Sequence, residues 1–159
     1  MQYHEDFIAG LLKHLNLFSD LEAPALLKLS SHFKERVFKV GDTIFDEDSI
    51  GNSMMIITSG EVRVSQKSDP GNEEALIVLK KGDLFGEMGL LEDLPRSATV
   101  IAHSNVVMLE IARVDFLAFL EKESEAGVKI LLRLSKILSS RLRETDTKLK
   151  TFISLTKWL

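Results

Sequence analysis

The stretch FGEMGLLEDLPRSATV, residues 85–100, interrupts an otherwise regular succession of strand-like segments. Residues 87–91 have the length and composition of one helical turn, although strand-like runs lie on both sides. Gly86 permits a backbone conformation that residues with a Cβ resist, and Gly89 lets a ligand approach the main chain closely. The stretch therefore predicts a loop with a short helix, set into a β-rich domain.

The same stretch carries groups that suit an anion and a hydroxyl. The start of a short helix exposes unpaired N–H groups with a partial positive charge, which favour a phosphate. Arg96 offers a planar fork for paired phosphate oxygens, and Ser97 and Ala98 add a hydroxyl and backbone N–H donors. Glu87 would be repelled by a phosphate unless it faced a donor such as a sugar hydroxyl. Each residue alone fits an ordinary structural role, but together they indicate a site for a ribose phosphate.

Hydrophobic periodicity divides the sequence before the last helices into two zones. Residues 5–33 have helical spacing, and the sequence SDLEAP at 19–24 indicates the start of a helix. Residues 36–112 contain short apolar runs that end at Gly-Asp or Pro-Gly turns, which predict an antiparallel sandwich or barrel. The runs are 37–40, 54–57, 61–64, 75–79, 98–102 and 106–109.

The third zone, from residue 114 onward, is helical again, with a short helix over 115–122 and a long one from about residue 125. A stripe along the long helix steps by four and three residues alternately, as in a heptad repeat. Its members are Leu138, Leu142, Thr145, Leu149, Phe152, Thr156 and Leu159. The length of the stripe favours pairing with a second copy, so we expect a homodimer through this helix. The alternative is that the stripe packs on its own domain.

Composition fits one globular domain. The chain has 159 residues, of which 45% are hydrophobic and 28% charged. A net charge of -4 disfavours nucleic acid as the main partner. The absence of cysteine suits a reducing cytosol. The first six residues lack a signal-peptide pattern, and no apolar run approaches the ~18 residues of a membrane span. We expect a cytoplasmic protein.

Catalytic and metal signatures are weak in this sequence. The histidines at 4, 14, 32 and 103 make no paired metal-ligand spacing. The serines lack a nucleophile-elbow setting, and the glycines form neither a P-loop nor a dinucleotide fingerprint. We therefore expect a binding module without a metal or cofactor, and not an enzyme.

The order of residues 85–100 resembles the phosphate-binding cassette of the cyclic-nucleotide-binding domain family. That family includes bacterial catabolite-activator-type regulators, protein kinase regulatory subunits and cyclic-nucleotide-gated channels. The matching parts of the cassette are Phe85-Gly86-Glu87, Leu90-Leu91 and Pro95-Arg96-Ser97-Ala98-Thr99. Further similar segments are LNLFSDL at 15–21, KVGDTIF at 39–45, ITSGEV at 57–62 and KGD at 81–83. The resemblance covers roughly residues 15–149.

The resemblance implies a mainly β fold with flanking helices. It is an antiparallel, jelly-roll-like β-roll with N-terminal helices and a long C-terminal helix. We expect residues 1–159 to form a single cyclic-nucleotide-binding domain. N-terminal helices would occupy 1–33, the β-roll 34–112 with the cassette at 85–100, and C-terminal helices 113–159.

The resemblance also implies a set of ligand-binding residues. Glu87 is expected to bind the ribose 2′-hydroxyl, and Arg96 the cyclic phosphate. Further residues are expected to line the same pocket, and these are Gly86, Met88, Ser97 and Ala98 in the cassette and Val64 and Leu76 as apolar walls around the base.

Two residues of the long helix fall where activator-type regulators place hydroxyl residues that contact the adenine. Thr145 keeps the hydroxyl, whereas Asp146 departs from the pattern. A carboxylate at this position can accept from guanine N–H groups, and the alternative is a solvated helix residue. Ser97, after the arginine, is intermediate between the alanine and threonine that accompany cAMP and cGMP preference in the family.

The expected function is that of a sensor and regulatory domain that binds cAMP in preference to cGMP. It would transmit binding through the C-terminal helix. One alternative is a dimerisation scaffold without a ligand, since some members of the family have lost binding. Another is the sensor part of a larger enzyme or channel. The DNA-binding helix-turn-helix that follows the long helix in activator-type regulators has no counterpart before Leu159, so direct DNA binding is not expected.

Overall fold

The computed structural model describes residues 4–69, 72–92 and 94–156, and the side chains of 67–69 and 72–76 lie outside this description. The chain begins with α1 (Glu5–His14), a short 3-10 helix (Asn16–Phe18) and α2 (Ala23–Ser30). Pro24 occupies the first turn of α2, where its missing N–H costs no helical hydrogen bond. The predicted start of a helix near this proline is thus present.

The strands of the described residues form two four-stranded antiparallel sheets. They are β1 (Lys34–Phe38), β2 (Thr43–Phe45), β3 (Ser53–Ser59), β4 (Glu61–Asp69), β5 (Asn72–Lys80), β6 (Leu84–Phe85), β7 (Thr99–Ala102) and β8 (Val106–Ala112). One sheet has the order β1-β8-β3-β6 and the other β2-β7-β4-β5. The predicted fold class, an antiparallel β-roll with helices at both ends, is confirmed.

Every predicted apolar run contains or overlaps a strand of this roll. The run at 75–79 belongs to β5, which begins three residues earlier than predicted. The turn predicted at 69–72 includes Pro70 and Gly71, which lie outside the described residues. The strands β2 and β6 were not among the predicted runs, because segments of three and two residues show no periodicity.

The strand β3 lies between two hydrophobic cores. Met54 and Ile56 pack into a core with the helices, whereas Met55 and Ile57 pack inside the roll. Six consecutive residues of β3 are buried, as expected for a strand that is covered on both faces. The helices therefore share a wall with the roll.

The C-terminal helices complete the helical core. α3 (Met88–Leu91) is one turn within the cassette, α4 (Arg113–Lys122) follows β8, and α5 (Ser124–Thr156) has 33 residues. Leu90 of α3 is fully buried in the helical core. The Arg113 Nε donates to the Leu90 carbonyl at 3.2 Å, which ties the cassette to the start of α4.

No helix of the described residues is long and apolar enough to cross a membrane. The stripe predicted on α5 ends at Leu159, which lies outside the described residues.

Candidate ligand-binding site

A cavity of about 470 Å³ lies between the cassette, the β2-β7-β4-β5 sheet and α5. Small-molecule sites have volumes of about 300–1,000 Å³, so the cavity is large enough for a nucleotide-sized ligand. Its apolar walls come from the roll, and its polar groups come from the cassette and α5. The apolar wall residues include Phe45, Val64, Ile77, Leu79, Leu84, Phe85 and Val100.

The backbone of Arg96 is fixed by the loop that joins β2 to β3. The Arg96 N–H donates to the Ser49 carbonyl at 2.8 Å, and the Asp48 N–H donates to the Arg96 carbonyl at 2.9 Å. Nearby, the Glu47 N–H donates to the Thr99 hydroxyl at 3.1 Å. Because the loop holds the cassette on both sides of Arg96, the position of its side chain is set by the roll.

The guanidinium of Arg96 is buried, with 7% of the residue exposed. One terminal nitrogen donates to the Ser53 carbonyl at 2.8 Å and to its hydroxyl at 3.2 Å. The Arg96 Cζ lies 3.6 Å from the centroid of the Phe45 ring, which is a cation–π contact. Among the described residues, the buried Arg96 Nε has no hydrogen-bond partner.

The charge on Arg96 is poorly compensated. Burial lowers the pKa of its guanidinium below the ordinary value, and the charges of Glu110 and Glu87 offset this only in part. Among the ion pairs of the described ranges none includes Arg96, and its hydrogen bonds go to neutral acceptors. A buried cation held in this way favours an incoming anion.

Glycines pack closely around the same guanidinium. Gly86 has a φ of 78°, and a Cβ on it would lie 2.7 Å from the Arg96 Nη1 and 2.9 Å from the Ser53 carbonyl oxygen. A Cβ on Gly89 would lie 2.8 Å from the Gly51 carbonyl oxygen and 3.0 Å from the Arg96 Nη1. Gly89 lines the cavity, and its close packing against Gly51 and Arg96 is a second reason for a glycine here, so the prediction that it admits a ligand to the main chain stays a prediction.

Glu87 lies at the start of α3 with its carboxylate buried, and 4% of the residue is exposed. The carboxylate accepts a hydrogen bond from Arg141 of α5, whose side chain is half exposed. Arg141 lines the cavity, but it was absent from the predicted site. It stands 54 positions from Glu87, and no local pattern signals a contact at that separation.

The cavity brings together most of the other predicted residues. Gly86, Met88, Ser97, Ala98 and Val64 all line it, together with Glu87 and Arg96. Ser97 is exposed, and its carbonyl accepts from the Gln66 amide at 2.8 Å. The side chain of Leu76 lies outside the described part of the chain, although its strand β5 contributes neighbouring residues to the wall.

Thr145 and Asp146 do not line the cavity of this chain. Both residues are exposed on α5, about one turn beyond Arg141. The Thr145 hydroxyl donates back to the Arg141 carbonyl at 3.0 Å, a common arrangement for a threonine within a helix.

The arrangement offers an anion site at Arg96, a buried acceptor for a hydroxyl at Glu87, and apolar walls for a flat ring. It defines a small-molecule binding domain with a preformed polar recess in a β-roll. Within the described residues, no group of three or more potential ligands is placed to hold a metal ion.

Comparison with known proteins identifies the family to which this binding domain belongs. The model of the cyclic nucleotide-binding domain matches residues 35–123, more than half of the chain. The chain therefore belongs to the cyclic nucleotide-binding domain family, as the cassette predicted.

Relatives are found among activators and kinases. The cyclic AMP receptor protein of Thermus thermophilus is 34% identical over 139 residues, which are 87% of this chain and 62% of that protein. The crystal structure of the Thermus thermophilus catabolite activator protein aligns with a TM-score of 0.77 and 33% identity, over 86% of this chain and 62% of that one. A cGMP-dependent protein kinase of Drosophila melanogaster, isozyme 2 forms cD5/T2, is 38% identical over 97 residues, which are 60% of this chain and 10% of the kinase. The chain thus spans less than two thirds of each of these relatives.

Proposed function

We propose that the chain is a sensor that binds a cyclic nucleotide, cAMP in preference to cGMP, in the cavity beside the cassette. In this proposal residues 1–159 act as one regulatory domain, in the cytoplasm and without catalysis. The observation that carries the proposal is the buried guanidinium of Arg96, whose hydrogen bonds go to neutral acceptors, in the same cavity as the buried carboxylate of Glu87.

The cyclic phosphate would bind Arg96. A phosphate would accept from the guanidinium and neutralise a charge that the protein meets with neutral acceptors. The ribose 2′-hydroxyl would donate to Glu87, and the base would lie against the apolar wall that includes Val64 and Ile77. Each part of the nucleotide then meets a group of matching chemistry.

The preference for cAMP rests on the resemblance in sequence. Thr145 does not line the cavity of this chain, but it keeps a hydroxyl at the α5 position from which activator-type regulators contact adenine, and Ser97 follows the arginine. The Thermus relative is named for cyclic AMP, whereas the Drosophila relative is named for cGMP dependence.

Transmission through α5 is supported by the contact between Arg141 and Glu87. Glu87 would serve both the ribose hydroxyl and the helix, so a ligand that engages its carboxylate changes how α5 is held. A ligand shifts α5 only to the extent that it binds one helix arrangement more tightly than the other. The shared carboxylate supplies such a difference.

Pairing of α5 with a second copy is supported by exposed apolar side chains along the heptad stripe. Leu142 is 63% exposed, Leu149 55% and Phe152 64%. The same spacing extends backward through Ser135 to Leu131 and Val128, which are also exposed. A parallel two-stranded coil would bury the whole stripe.

The binding proposal is tested by calorimetric titration of the chain with cAMP and with cGMP. Arg96→Ala is expected to abolish measurable binding, because loss of a buried charge-assisted contact typically costs ~2–5 kcal/mol. Arg133→Ala is the matched control, since Arg133 pairs with Asp20 at the surface and does not line the cavity. Unchanged affinity in Arg96→Ala would contradict the assignment of the phosphate.

A second candidate function is a dimerisation scaffold without a ligand, and the exposed stripe on α5 favours it. This function predicts no heat of binding with either nucleotide and a dimer that is indifferent to both. Retention of Glu87 and Arg96 in one cavity favours the sensor. The absence of direct DNA binding, and a role as the sensor part of a larger protein, remain predictions.

A further inference from the structure

We propose that Arg141 alternates between two acidic partners, Glu87 of its own cassette and Asp146 of a second copy of the chain. The exchange would couple the cavity to the pairing of α5, and a cyclic nucleotide would tighten the dimer. The inference rests on the proposed sensor and dimer.

The heptad register places the two residues opposite each other. With Leu142 at position a and Thr145 at position d, Arg141 falls at position g and Asp146 at position e. In a parallel two-stranded coil, a residue at g faces the residue at e of the following heptad in the partner, five positions further along. Since 141 + 5 = 146, Arg141 of each copy faces Asp146 of the other. Two-fold symmetry forms the pair twice.

The other g and e positions of the described helix carry no charge complementarity. They pair Gly127 with Leu132, Leu134 with Ser139, and Lys148 with Ile153. Arg141 and Asp146 thus form the one oppositely charged pair across the seam within the described part of α5. The seam is otherwise lined by apolar and hydroxyl side chains. A single charged pair in it therefore favours a parallel orientation and one register of the two helices.

Contacts within the chain leave Asp146 available for this role. Among the ion pairs and side-chain hydrogen bonds of the described residues, none includes Asp146, which is exposed. Two of its charged neighbours contact serines of their own helix, since Arg143 donates to the Ser139 hydroxyl at 3.1 Å and Glu144 accepts from the Ser140 hydroxyl at 3.5 Å. Arg141 is half exposed while it contacts Glu87, so its guanidinium is open to a competing carboxylate.

The exchange has a defined direction. Without a ligand, Arg141 is paired with Glu87 of its own chain, so Asp146 of the second copy has no ion pair with Arg141. When a ribose hydroxyl donates to Glu87, the hold on Arg141 weakens and the guanidinium turns to Asp146 across the seam. Coupling of this kind is reciprocal, so dimer formation also raises the affinity for the nucleotide.

The direct test uses complementary charge reversals in the full chain. Homodimers of Arg141→Asp place two aspartates at each contact, and homodimers of Asp146→Arg place two arginines there. A mixture of the two variants restores both ion pairs in the heterodimer. By native mass spectrometry of a mass-labelled mixture, we expect heterodimers in excess of random mixing by a factor on the order of ten, from two surface ion pairs and the repulsion they replace.

Lys148→Asp provides the matched control. Lys148 is also at position g, but it faces Ile153, so the substitution makes the same change in charge without a partner across the seam. The Lys148→Asp homodimer keeps two attractive contacts, and the Asp146→Arg homodimer has two repulsive ones. Their heterodimer has one of each, so its contact energy is the average of the two homodimers. Random mixing is therefore expected for this control. Random mixing of Arg141→Asp with Asp146→Arg would overturn the inference.

A second measurement separates this inference from the proposed function. Sedimentation of the wild-type chain should give a lower dimer Kd with cAMP than without it, and Asp146→Asn should remove that difference. If calorimetry shows binding that needs Arg96 while the dimer Kd is unaffected by cAMP, the exchange is refuted and the sensor stands. A wild-type chain that remains monomeric with and without cAMP refutes both the exchange and the proposed dimer.

Discussion

The two halves of α5 have different surroundings. In the first half, Ala126, Ile130 and Leu134 are buried in the helical core, and Arg133 donates to both carboxylate oxygens of Asp20 at 2.5 and 2.6 Å. Beyond Ser139 the helix is exposed, and its described contact with the rest of the chain is the ion pair of Arg141 with Glu87. The first half is fixed by packing and the second by a carboxylate of the ligand cavity. A ligand in the cavity can therefore act on one half alone.

The largest expected effect comes from the packed half. Ile130→Ala removes a fully buried side chain and should lower the free energy of unfolding by about 2–5 kcal/mol. Leu142→Ala, in the exposed half, should change it by less than about 0.5 kcal/mol at concentrations where the chain is monomeric. Urea unfolding measures both. Equal losses in the two variants would show that the second half is packed as the first is.

A methyl group added at Gly86 should disturb the packing around Arg96 in the cavity. Gly86→Ala combines a positive φ with a contact below 3 Å to Arg96, so we expect a loss of about 2–4 kcal/mol in stability. Gly41→Ala is the control, because Gly41 has a similar φ of 89° and nothing within 4 Å of the added Cβ. It should cost only about 1–2 kcal/mol and leave nucleotide binding unchanged. If the two variants lose the same stability and the same nucleotide affinity, the close contact between the added Cβ and Arg96 is not the cause of the effect.

Removal of the shared charge should act on the ligand and on the second half of α5. Glu87→Gln keeps the shape of the side chain but replaces the carboxylate, so cAMP affinity should fall by about 1.5–3 kcal/mol, the range for hydrogen bonds to charged groups. Titration calorimetry gives this value, and the ligand-free dimer should become tighter because Arg141 is released. A variant with wild-type affinity would exclude the proposed hydroxyl contact.

The smallest expected effect is that of the exposed ion pair at the base of α5. The hydrogen bond from Arg133 holds the pKa of the Asp20 carboxyl below its ordinary value of 3.8. A carboxyl with a lowered pKa in the folded chain stabilises it above the unfolded pKa, and this contribution is lost as the pH falls through the folded pKa. The difference in stability between wild type and Asp20→Asn should thus be present at neutral pH and vanish in acid. Because Asp20 lies at the surface, the difference in stability should be small. A difference that grew in acid would contradict a lowered pKa of the Asp20 carboxyl.

Residues close together in sequence made much of the site predictable. The glycine, carboxylate and arginine of the cassette all lie within residues 85–100, and the cavity contains all three. Long apolar runs such as β3 and β8 likewise reveal themselves by their composition. Local chemistry and periodicity carry these features without knowledge of the tertiary structure.

Other parts of the site depend on residues that only the fold brings together. Phe45, Gly51 and Ser53 surround the Arg96 guanidinium from another segment, and each is an ordinary residue for a strand or a loop. Arg141 is one of several charged residues on an exposed helix, and its contact with Glu87 follows from the path of α5 past the cassette. Sequence reasoning placed Thr145 and Asp146 at the ligand from an offset along the helix, and in this chain neither lines the cavity.

The most direct test of the difference between the two halves of α5 is hydrogen exchange of the wild-type chain with and without cAMP, resolved along the helix. The amides of residues 139–156 should change their protection when cAMP binds, while those of residues 126–134 should remain as they are because packing holds them in both states. A uniform change along α5, or no change while calorimetry reports binding, would contradict the division of the helix into a fixed half and a half governed by the ligand.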